Sequence, residues 1–306
     1  DRTESFTIRG GEDFSAWGRD FDWLGGDYLE VVSAAPFEGA AHYESRVELA
    51  GAFFVSLLRF VSDGRHDVVI DDLAAGPADQ SRGVFAIEID GGPPDAVAEI
   101  TLRKTDGDYL EVDEAAATIS MLAEDAEIET VRLDDNDDTV LLDNGADIDT
   151  LQLNGGADTV TLRNDAGIQQ VQGDDGDKTV EVSSGSDIGQ LLTRDGDDVV
   201  TVDDGFIRAA SLRNGDNAVS VTGGDARIKS VTAEDGDDTL QVRRGGDIQT
   251  AQLSGGADSL TVAGAESRVG SVSMGSDADT ARVKNGARAD SVHLGNGDNS
   301  LTVDGP

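Results

Sequence analysis

One pattern of apolar and polar residues recurs nine times between residue 128 and the end of the chain, with a step of 19 to 21 residues. In the second copy the apolar residues are Ile148, Leu151 and Leu153, followed after a polar stretch by Val160 and Leu162. Apolar residues two positions apart are typical of a β-strand with one buried face. Each copy therefore predicts two short strands joined by turns. The leading apolar residues of the nine copies are Ile128, Ile148, Ile168, Ile188, Ile207, Ile228, Ile248, Val269 and Ala289.

This spacing favours a parallel β-solenoid, in which each copy is one coil, over other repeat folds. A helical repeat needs apolar residues at i, i+3, i+4 and i+7 and does not tolerate regularly recurring Gly-Asp turns. A pentapeptide-repeat coil needs an inward residue at every fifth position, and a leucine-rich repeat needs a longer Leu and Asn consensus. Stacked coils can bury apolar residues that a single coil cannot. We predict an all-β chain in which residues 99–306 form a parallel β-solenoid of about 20-residue coils.

Residues 1–98 differ from the repeats and predict a β-rich capping or assembly region. They contain 12 of the 14 aromatic residues of the chain. Short apolar or alternating segments, such as 28–33 and 84–89, lie between Gly, Pro and Asp residues and are typical of strands. The Gly-Gly-Pro-Pro sequence at 91–94 is the boundary signal, and a less regular first coil follows it from Ile100.

Charge narrows the range of partners. The 306 residues include 62 Asp and Glu but only 23 Lys and Arg, which gives a net charge of −39. Nucleic-acid binding needs a basic face, so this composition argues against it and favours cations. The chain has no cysteine for a disulfide or a thiolate metal site. No run of about 18 apolar residues predicts a membrane span.

Acidic residues recur at two neighbouring positions in the turn before the second strand of each copy. The first position lies two residues before the leading apolar residue of that strand, as Asp158 lies before Val160, and it is acidic in six copies. A glycine stands two residues earlier in seven copies. The second position, between the glycine and the first, carries further acids such as Asp177.

Stacked coils bring these acids together, which predicts bound calcium. Neighbouring strands lie about 4.8 Å apart, and like charges at about 5 Å repel by roughly 0.8 kcal/mol even in bulk water. Carboxylates and the carbonyls of glycine-bent turns suit Ca²⁺, which takes six to eight oxygen ligands. Turn chemistry without a metal is the alternative, because tight turns also prefer Asp, Asn and Gly. The candidate ligands are Asp138, Asp158, Asp177, Asp197, Asp198, Asp237, Asp238, Asp258, Asp279 and Asp298.

At these turns the chain resembles the repeats-in-toxin (RTX) calcium-binding repeat, Gly-Gly-x-Gly-x-Asp-x-Leu-x. The copies most similar to it are 193–202, 233–242 and 294–303. The resemblance implies a parallel β-roll, secretion from a Gram-negative cell and folding triggered by extracellular Ca²⁺. The chain departs from the family in its step of about 20 residues rather than nine. Its other turn has the Gly-x-Asp sequence in only three coils, at Asp147, Asp187 and Asp247.

The sequence predicts a secreted or cell-surface protein with a calcium-supported structural or adhesive role, and no residue is assigned a catalytic role. Cell-surface or matrix polysaccharide is a further expected partner. One alternative is a polysaccharide lyase or epimerase of the β-helix type, with its site in the N-terminal region or at the junction of that region with the solenoid, because the coils offer no long loops. The other is an ice-binding solenoid, suggested by a row of outward threonines that Glu181, Gln241 and Arg282 interrupt.

The end of the repeats predicts self-association. The last predicted strand, 301–303, is followed only by Asp-Gly-Pro, so nothing in the sequence covers the apolar cross-section of the final coil. The segment 4–11 is strand-like and could pair with such an edge. We therefore expect head-to-tail association into fibres or arrays.

Overall fold

The computed structural model describes residues 2–9, 43–50, 57–61, 65–71, 86–90, 97–103, 106–113, 116–123 and 126–305, and β-strands are the only long regular elements in them. The chain divides into two compact units, residues 1–154 and 155–306. The part of the chain that the structure describes contains no helix of the length and apolarity needed to cross a membrane.

After the first two strands, which share a sheet, the strands of the first unit alternate along the chain between two parallel sheets. One sheet has the order β1, β2, β4, β6, β8, β10, and the other has the order β3, β5, β7, β9, β11. Their bounds are β1 Arg2–Arg9, β2 Tyr43–Ala50, β3 Leu57–Val61, β4 Arg65–Asp71, β5 Ala86–Asp90, β6 Val97–Arg103, β7 Asp106–Asp113, β8 Ala116–Met121, β9 Glu127–Arg132, β10 Thr139–Asp143 and β11 Asp147–Asn154.

The second unit repeats this arrangement with greater regularity. Its even-numbered strands form one parallel sheet in chain order, and its odd-numbered strands form the other. Their bounds are β12 Asp158–Arg163, β13 Gly167–Gly173, β14 Lys178–Ser183, β15 Asp187–Leu192, β16 Val199–Asp203, β17 Phe206–Ser211, β18 Ala218–Thr222, β19 Arg227–Thr232, β20 Thr239–Arg243, β21 Asp247–Gln252, β22 Ser259–Ala263, β23 Arg268–Ser273, β24 Thr280–Lys284, β25 Arg288–His293 and β26 Ser300–Val303.

The register confirms the predicted solenoid. Ile188 pairs with Ile168 on one side and with Ile207 on the other, and Ile207 pairs with Ile228, so partners are 19 to 21 residues apart. The predicted inward residues are buried except in the last coil, and Val160 and Leu162, for example, are both 0% exposed. All nine predicted coils have their two strands, from β9 and β10 to β25 and β26.

The described strands before residue 98 follow the same parallel arrangement. β1 pairs with β2, β2 with β4, and β4 with β6, which spans the predicted boundary at residues 98 and 99. The predicted segment 28–33 lies outside the described residues. The division into a capping region, 1–98, and a solenoid, 99–306, stays a prediction.

Candidate cation site in the turns

Each coil of the second unit has two turns, and the predicted acids lie in and beside the first. The first turn leads from the odd-numbered strand to the even-numbered strand of the same coil, as residues 174–177 lead from β13 to β14. The second turn leads to the next coil, as residues 184–186 lead from β14 to β15.

Close stacking of the coils explains the glycine that recurs in the first turn. Gly215 and Gly236 have φ angles of 120° and 140°, a region that favours glycine. A Cβ atom on Gly215 would lie 2.0 Å from the carbonyl oxygen of Gly196, and one on Gly236 would lie 2.1 Å from that of Gly215. Successive backbones are therefore too close for a side chain, and stacking alone accounts for the recurrence of glycine.

The candidate ligands at the first acidic position are buried. We call this position the inner column; in the second unit it consists of Asp158, Lys178, Asp198, Asn217, Asp238, Asp258, Asp279 and Asn299. All of these residues except Asn299 are 1–2% exposed, as is Asp138 in the first unit. The cause is the period of the strand: Asp158 precedes the inward Val160 by two residues and so lies on the same face.

Main-chain hydrogen bonds join the inner column from coil to coil. The Asp238 N–H donates to Oδ1 of Asp258, and the Asp258 N–H donates to Oδ1 of Asp279, both at 3.0 Å. Equivalent bonds run from Lys178 to Asp198, Asp198 to Asn217, Asn217 to Asp238 and Asp279 to Asn299. One oxygen of each carboxylate is therefore used by the fold itself.

In the second unit, three consecutive coils leave the second carboxylate oxygen without the ammonium that Asp158 has or the hydroxyl that Asp198 has. Oδ2 of Asp238, of Asp258 and of Asp279 is buried and has no hydrogen-bond partner among the described residues. Burial raises the pKa of Asp238 to about 6 and that of Asp258 to about 7, and it also raises the pKa of Asp279; neighbouring carboxylates add to each rise. A buried acceptor without a donor costs about 1–3 kcal/mol, and more when it is charged.

Elsewhere in the inner column the chain supplies a donor. The Lys178 ammonium donates to the carbonyl oxygens of Gly156 at 2.7 Å, Gly176 at 3.1 Å and Asp175 at 3.2 Å, and it lies 3.3 Å from Oδ2 of Asp158. The Asn217 amide donates to the carbonyl oxygen of Gly215 at 2.9 Å. The interior of a first turn therefore presents carbonyl and carboxylate oxygens to a positively polarised group.

In two coils, the residue five positions before the inner-column residue either donates a hydrogen bond to it or leaves room for its side chain. The Thr193 hydroxyl donates to Oδ2 of Asp198 at 2.5 Å. Gly173 leaves room for Lys178, since a Cβ atom there would lie 2.9 Å from the lysine Cε. At Asp258 the equivalent residue is Leu253, which offers no donor. Sequence reasoning missed these pairs, although Gly173 and Thr193 stand where other coils have an apolar residue.

The second acidic position forms an exposed outer column. The N–H groups of Asp197, Asp216 and Asp237 donate to Oδ1 of Asp177, Asp197 and Asp216 respectively, at 2.7–2.8 Å. These four acids therefore lie on successive coils. Ala257 and Ala278 continue the column, so Asp298 is separated from Asp237 by three coils, or about 14 Å.

The donor set fits a cation that binds through carboxylate and carbonyl oxygens together. Among the described residues, no three His, Cys, Asp or Glu side chains form a group that could hold a metal ion by themselves. The unpartnered Oδ2 atoms of Asp238, Asp258 and Asp279 are instead hard oxygen ligands. They lie at the same position of the turn as Lys178, whose ammonium binds turn carbonyls in its own coil and the preceding one. Calcium prefers such oxygens.

The outward threonine row is interrupted in the structure as in the sequence. Glu181 lies in register between Thr161 and Thr201, and Thr261 lies between Gln241 and Arg282. Charged and long side chains therefore break the flat hydroxyl array of this sheet.

Comparison with known proteins finds no matching family model, no similar protein of curated function and no similar solved structure.

Proposed function

We propose that the protein is an extracellular structural or adhesive β-solenoid whose first turns bind calcium. The observation that carries this proposal is the buried ammonium of Lys178, which lies among three turn carbonyls and the carboxylate of Asp158. In this one coil, the protein itself places a positively charged group inside the first turn. In the coils of Asp238, Asp258 and Asp279 the corresponding carboxylate oxygen has no protein donor among the described residues.

In those three coils, Oδ2 of Asp238, Asp258 and Asp279 would hold the ion together with carbonyls of the stacked first turns. Bound calcium would neutralise carboxylates that the fold buries next to one another, and so would add its binding free energy to folding. Extracellular calcium modules bind with dissociation constants of about 10⁻⁴–10⁻³ M. Sites of this affinity suit a secreted or cell-surface protein, which is the location we propose.

The regularity of the coils supports a structural rather than an enzymatic role. Strand partners in the second unit remain 19 to 21 residues apart, so its coils have no long insertions to build a deep cleft. The two faces of the unit instead present short, regular rows of side chains. Binding of cell-surface or matrix polysaccharide to such a face stays a prediction.

Thermal unfolding in calcium and in EDTA tests the calcium proposal. We expect millimolar Ca²⁺ to raise the unfolding midpoint at about pH 8 relative to EDTA, and Mg²⁺ at equal ionic strength to raise it less, because Mg²⁺ requires a small octahedral site. The double variant Asp238→Asn/Asp258→Asn should lose most of the calcium increment. The control is Asp298→Asn, which removes an exposed acid outside the three coils. Equal midpoints in Ca²⁺, Mg²⁺ and matched NaCl would show that the acids are turn residues only.

We also propose that the solenoid associates head to tail. Leu301 and Val303 are 50% and 68% exposed, although they are in register with the buried Ala281 and Val283. Among the described strands of the first unit, β1 stands at the end of its sheet and is a candidate to cover this face. Wild-type protein at high concentration should sediment as polymers, and the variants Leu301→Glu/Val303→Glu and a deletion of residues 1–11 should not. A monomeric wild type would refute this contact.

A further inference from the structure

Charge is distributed unequally between the two turn edges of the second unit. The first turns with their inner-column residues carry a net charge of −13, which equals the net charge of all residues 155–306. They are residues 155–158, 174–178, 194–198, 213–217, 234–238, 254–258, 275–279 and 295–299. The opposite edge, with the second turns and the outward residue that follows them, has a net charge of +1. It comprises residues 163–169, 183–189, 203–208, 222–229, 243–249, 263–270 and 284–290.

The cations are concentrated in the last four segments of that second edge. We call residues 222–229, 243–249, 263–270 and 284–290 the basic edge; its net charge is +3, whereas the first turns of the same coils, from 234 to 299, carry −8. The basic edge contains Arg227, Lys229, Arg243, Arg244, Arg268, Lys284 and Arg288. All of them except the half-buried Lys284 are exposed.

Only some of these cations are neutralised within the chain. Arg227 pairs with Asp247 at 3.2 Å, and Arg268 and Arg288 both pair with Asp290. Arg243, Arg244 and Lys284 have no ion-pair partner among the described residues. Both Arg243 and Lys284 are in register with Ala263, one from each side, so they stand two coils apart, about 10 Å, on one row.

We propose that the basic edge binds the acidic first turns of a second copy of this chain, side by side. The two edges have opposite charge, and they share the spacing of about 4.8 Å between coils, so their charges can stay in register along the contact. The net charge of −39 opposes association at long range. Salt at about 0.15 M screens charges that are more than about 8 Å apart, so the charges on the two facing edges determine whether the copies attract each other.

The proposed contact adds lateral growth to the structural role. The two turn edges lie at opposite ends of the strands, so a molecule that binds a neighbour through its basic edge still offers its acidic edge to another. Such a heterologous contact does not close and produces extended arrays. The basic edge contains none of the proposed calcium ligands, and the test below is made in EDTA with the exposed apolar residues of the last coil replaced, so its outcome is separate from those of the proposals above.

Sedimentation velocity of charge-reversal variants tests this contact. All proteins carry Leu301→Glu/Val303→Glu to remove head-to-tail association and are measured in EDTA at about 0.1 M NaCl. We expect the parent's average sedimentation coefficient to rise with concentration, and this rise to disappear in Arg243→Glu/Arg244→Glu/Lys284→Glu. It should also disappear in Glu234→Lys/Asp235→Lys, which reverses two exposed acids of a first turn. A mixture of the two variants should recover it, because each keeps one functional edge.

The matched control is Arg132→Glu/Arg163→Glu/Arg282→Glu, which changes the net charge equally with three exposed arginines outside both the basic edge and the first turns. If association depends on where the charges lie and not on the net charge, this control should associate like the parent. Equal loss of association in the control and the basic-edge variant would overturn the inference, as would a monomeric parent at every concentration. Binding of an acidic polysaccharide through Arg243, Arg244 and Lys284 by a monomeric parent would assign the edge to a different partner and refute the proposal.

Discussion

Replacing Asp258 by asparagine should stabilise the calcium-free protein at about pH 8. The Asp258 side chain is buried, Oδ1 accepts the Asp238 N–H, and Oδ2 has no hydrogen-bond partner among the described residues. An asparagine keeps the first contact and exchanges the unpartnered oxygen for an N–H donor. Asn217 shows that the turn accepts this donor, because its amide bonds the carbonyl oxygen of Gly215. The change therefore removes a buried charge and adds a hydrogen bond.

The size of the effect follows from the pKa of Asp258. Burial, opposed by the bond from the Asp238 N–H and reinforced by neighbouring carboxylates, raises it from 3.8 to about 7. Roughly three pKa units at about 1.4 kcal/mol each give at most about 4 kcal/mol by which ionised Asp258 destabilises the fold at pH 8. Relaxation around the charge reduces this value, so we expect Asp258→Asn to gain about 1–3 kcal/mol and several degrees in the unfolding midpoint.

Urea unfolding followed by circular dichroism measures this gain in EDTA, with Asp237→Asn as the matched control. The control removes the same charge from an exposed side chain of the same turn, and its Oδ1 can still accept the Ala257 N–H. It should therefore change stability by less than about 0.5 kcal/mol. In millimolar Ca²⁺ the advantage of Asp258→Asn should shrink or reverse, because the variant lacks a ligand. A loss of stability in EDTA for Asp258→Asn would refute the reasoning, since it would mean that the carboxylate is already satisfied.

The remaining predictions concern the same turns and the core beneath them. Val160→Asp should lower the free energy of unfolding by several kcal/mol, because it buries an unpaired charge. Gly215→Ala should lower it by about 2–4 kcal/mol, because the added Cβ atom meets a carbonyl oxygen at a positive φ angle. Urea unfolding measures both losses. Lys178→Met should cost about 3–5 kcal/mol, because it leaves the carboxylate and carbonyls of the turn without their cation, and thermal unfolding at fixed pH measures the loss. The raised pKa values of Asp238 and Asp258 mean that the folded state binds more protons, so stability in EDTA should fall as pH rises from about 4 to about 7. The calcium that we propose for these turns should oppose this fall, because it would bind the deprotonated carboxylates; a pH series with and without Ca²⁺ checks both statements.

Periodicity was sufficient to predict the fold because the inward residues repeat in every coil of the second unit with few exceptions. Val160 and Leu162, two positions apart, specify a strand with one buried face, and the step from Ile188 to Ile207 specifies one coil. Each position contributes the same kind of contact in every coil, so a sequence pattern carries nearly all of the information. The strands between residues 2 and 90 lack this repetition, and their coil arrangement could not be derived in the same way.

The candidate site was predictable in its residues but not in its environment. The acids were found as turn residues, yet the same period of two that places Val160 inward also places Asp158 inward, which the turn-based interpretation overlooked. The donors that satisfy the inner column come from residues about 20 positions away or five positions earlier, as in the pair of Thr193 and Asp198. Such partners depend on how coils stack, which no local pattern encodes.

The buried oxygens of the inner column receive a donor or a positive charge from different groups in different coils, and these differences argue for an exchangeable cation. Where a carbonyl-lined turn receives the ammonium of Lys178 or the amide of Asn217, the donor is covalently fixed and its contribution does not vary with the medium. Asp238, Asp258 and Asp279 occupy three consecutive coils and keep a buried acceptor in each, where an asparagine would place a donor and need no ligand. We expect a proton or a metal ion from solution to supply the missing positive charge there. The stability of these coils should then depend on the composition of the surrounding solution, which is the property expected of a solenoid that becomes rigid in a calcium-rich, near-neutral environment.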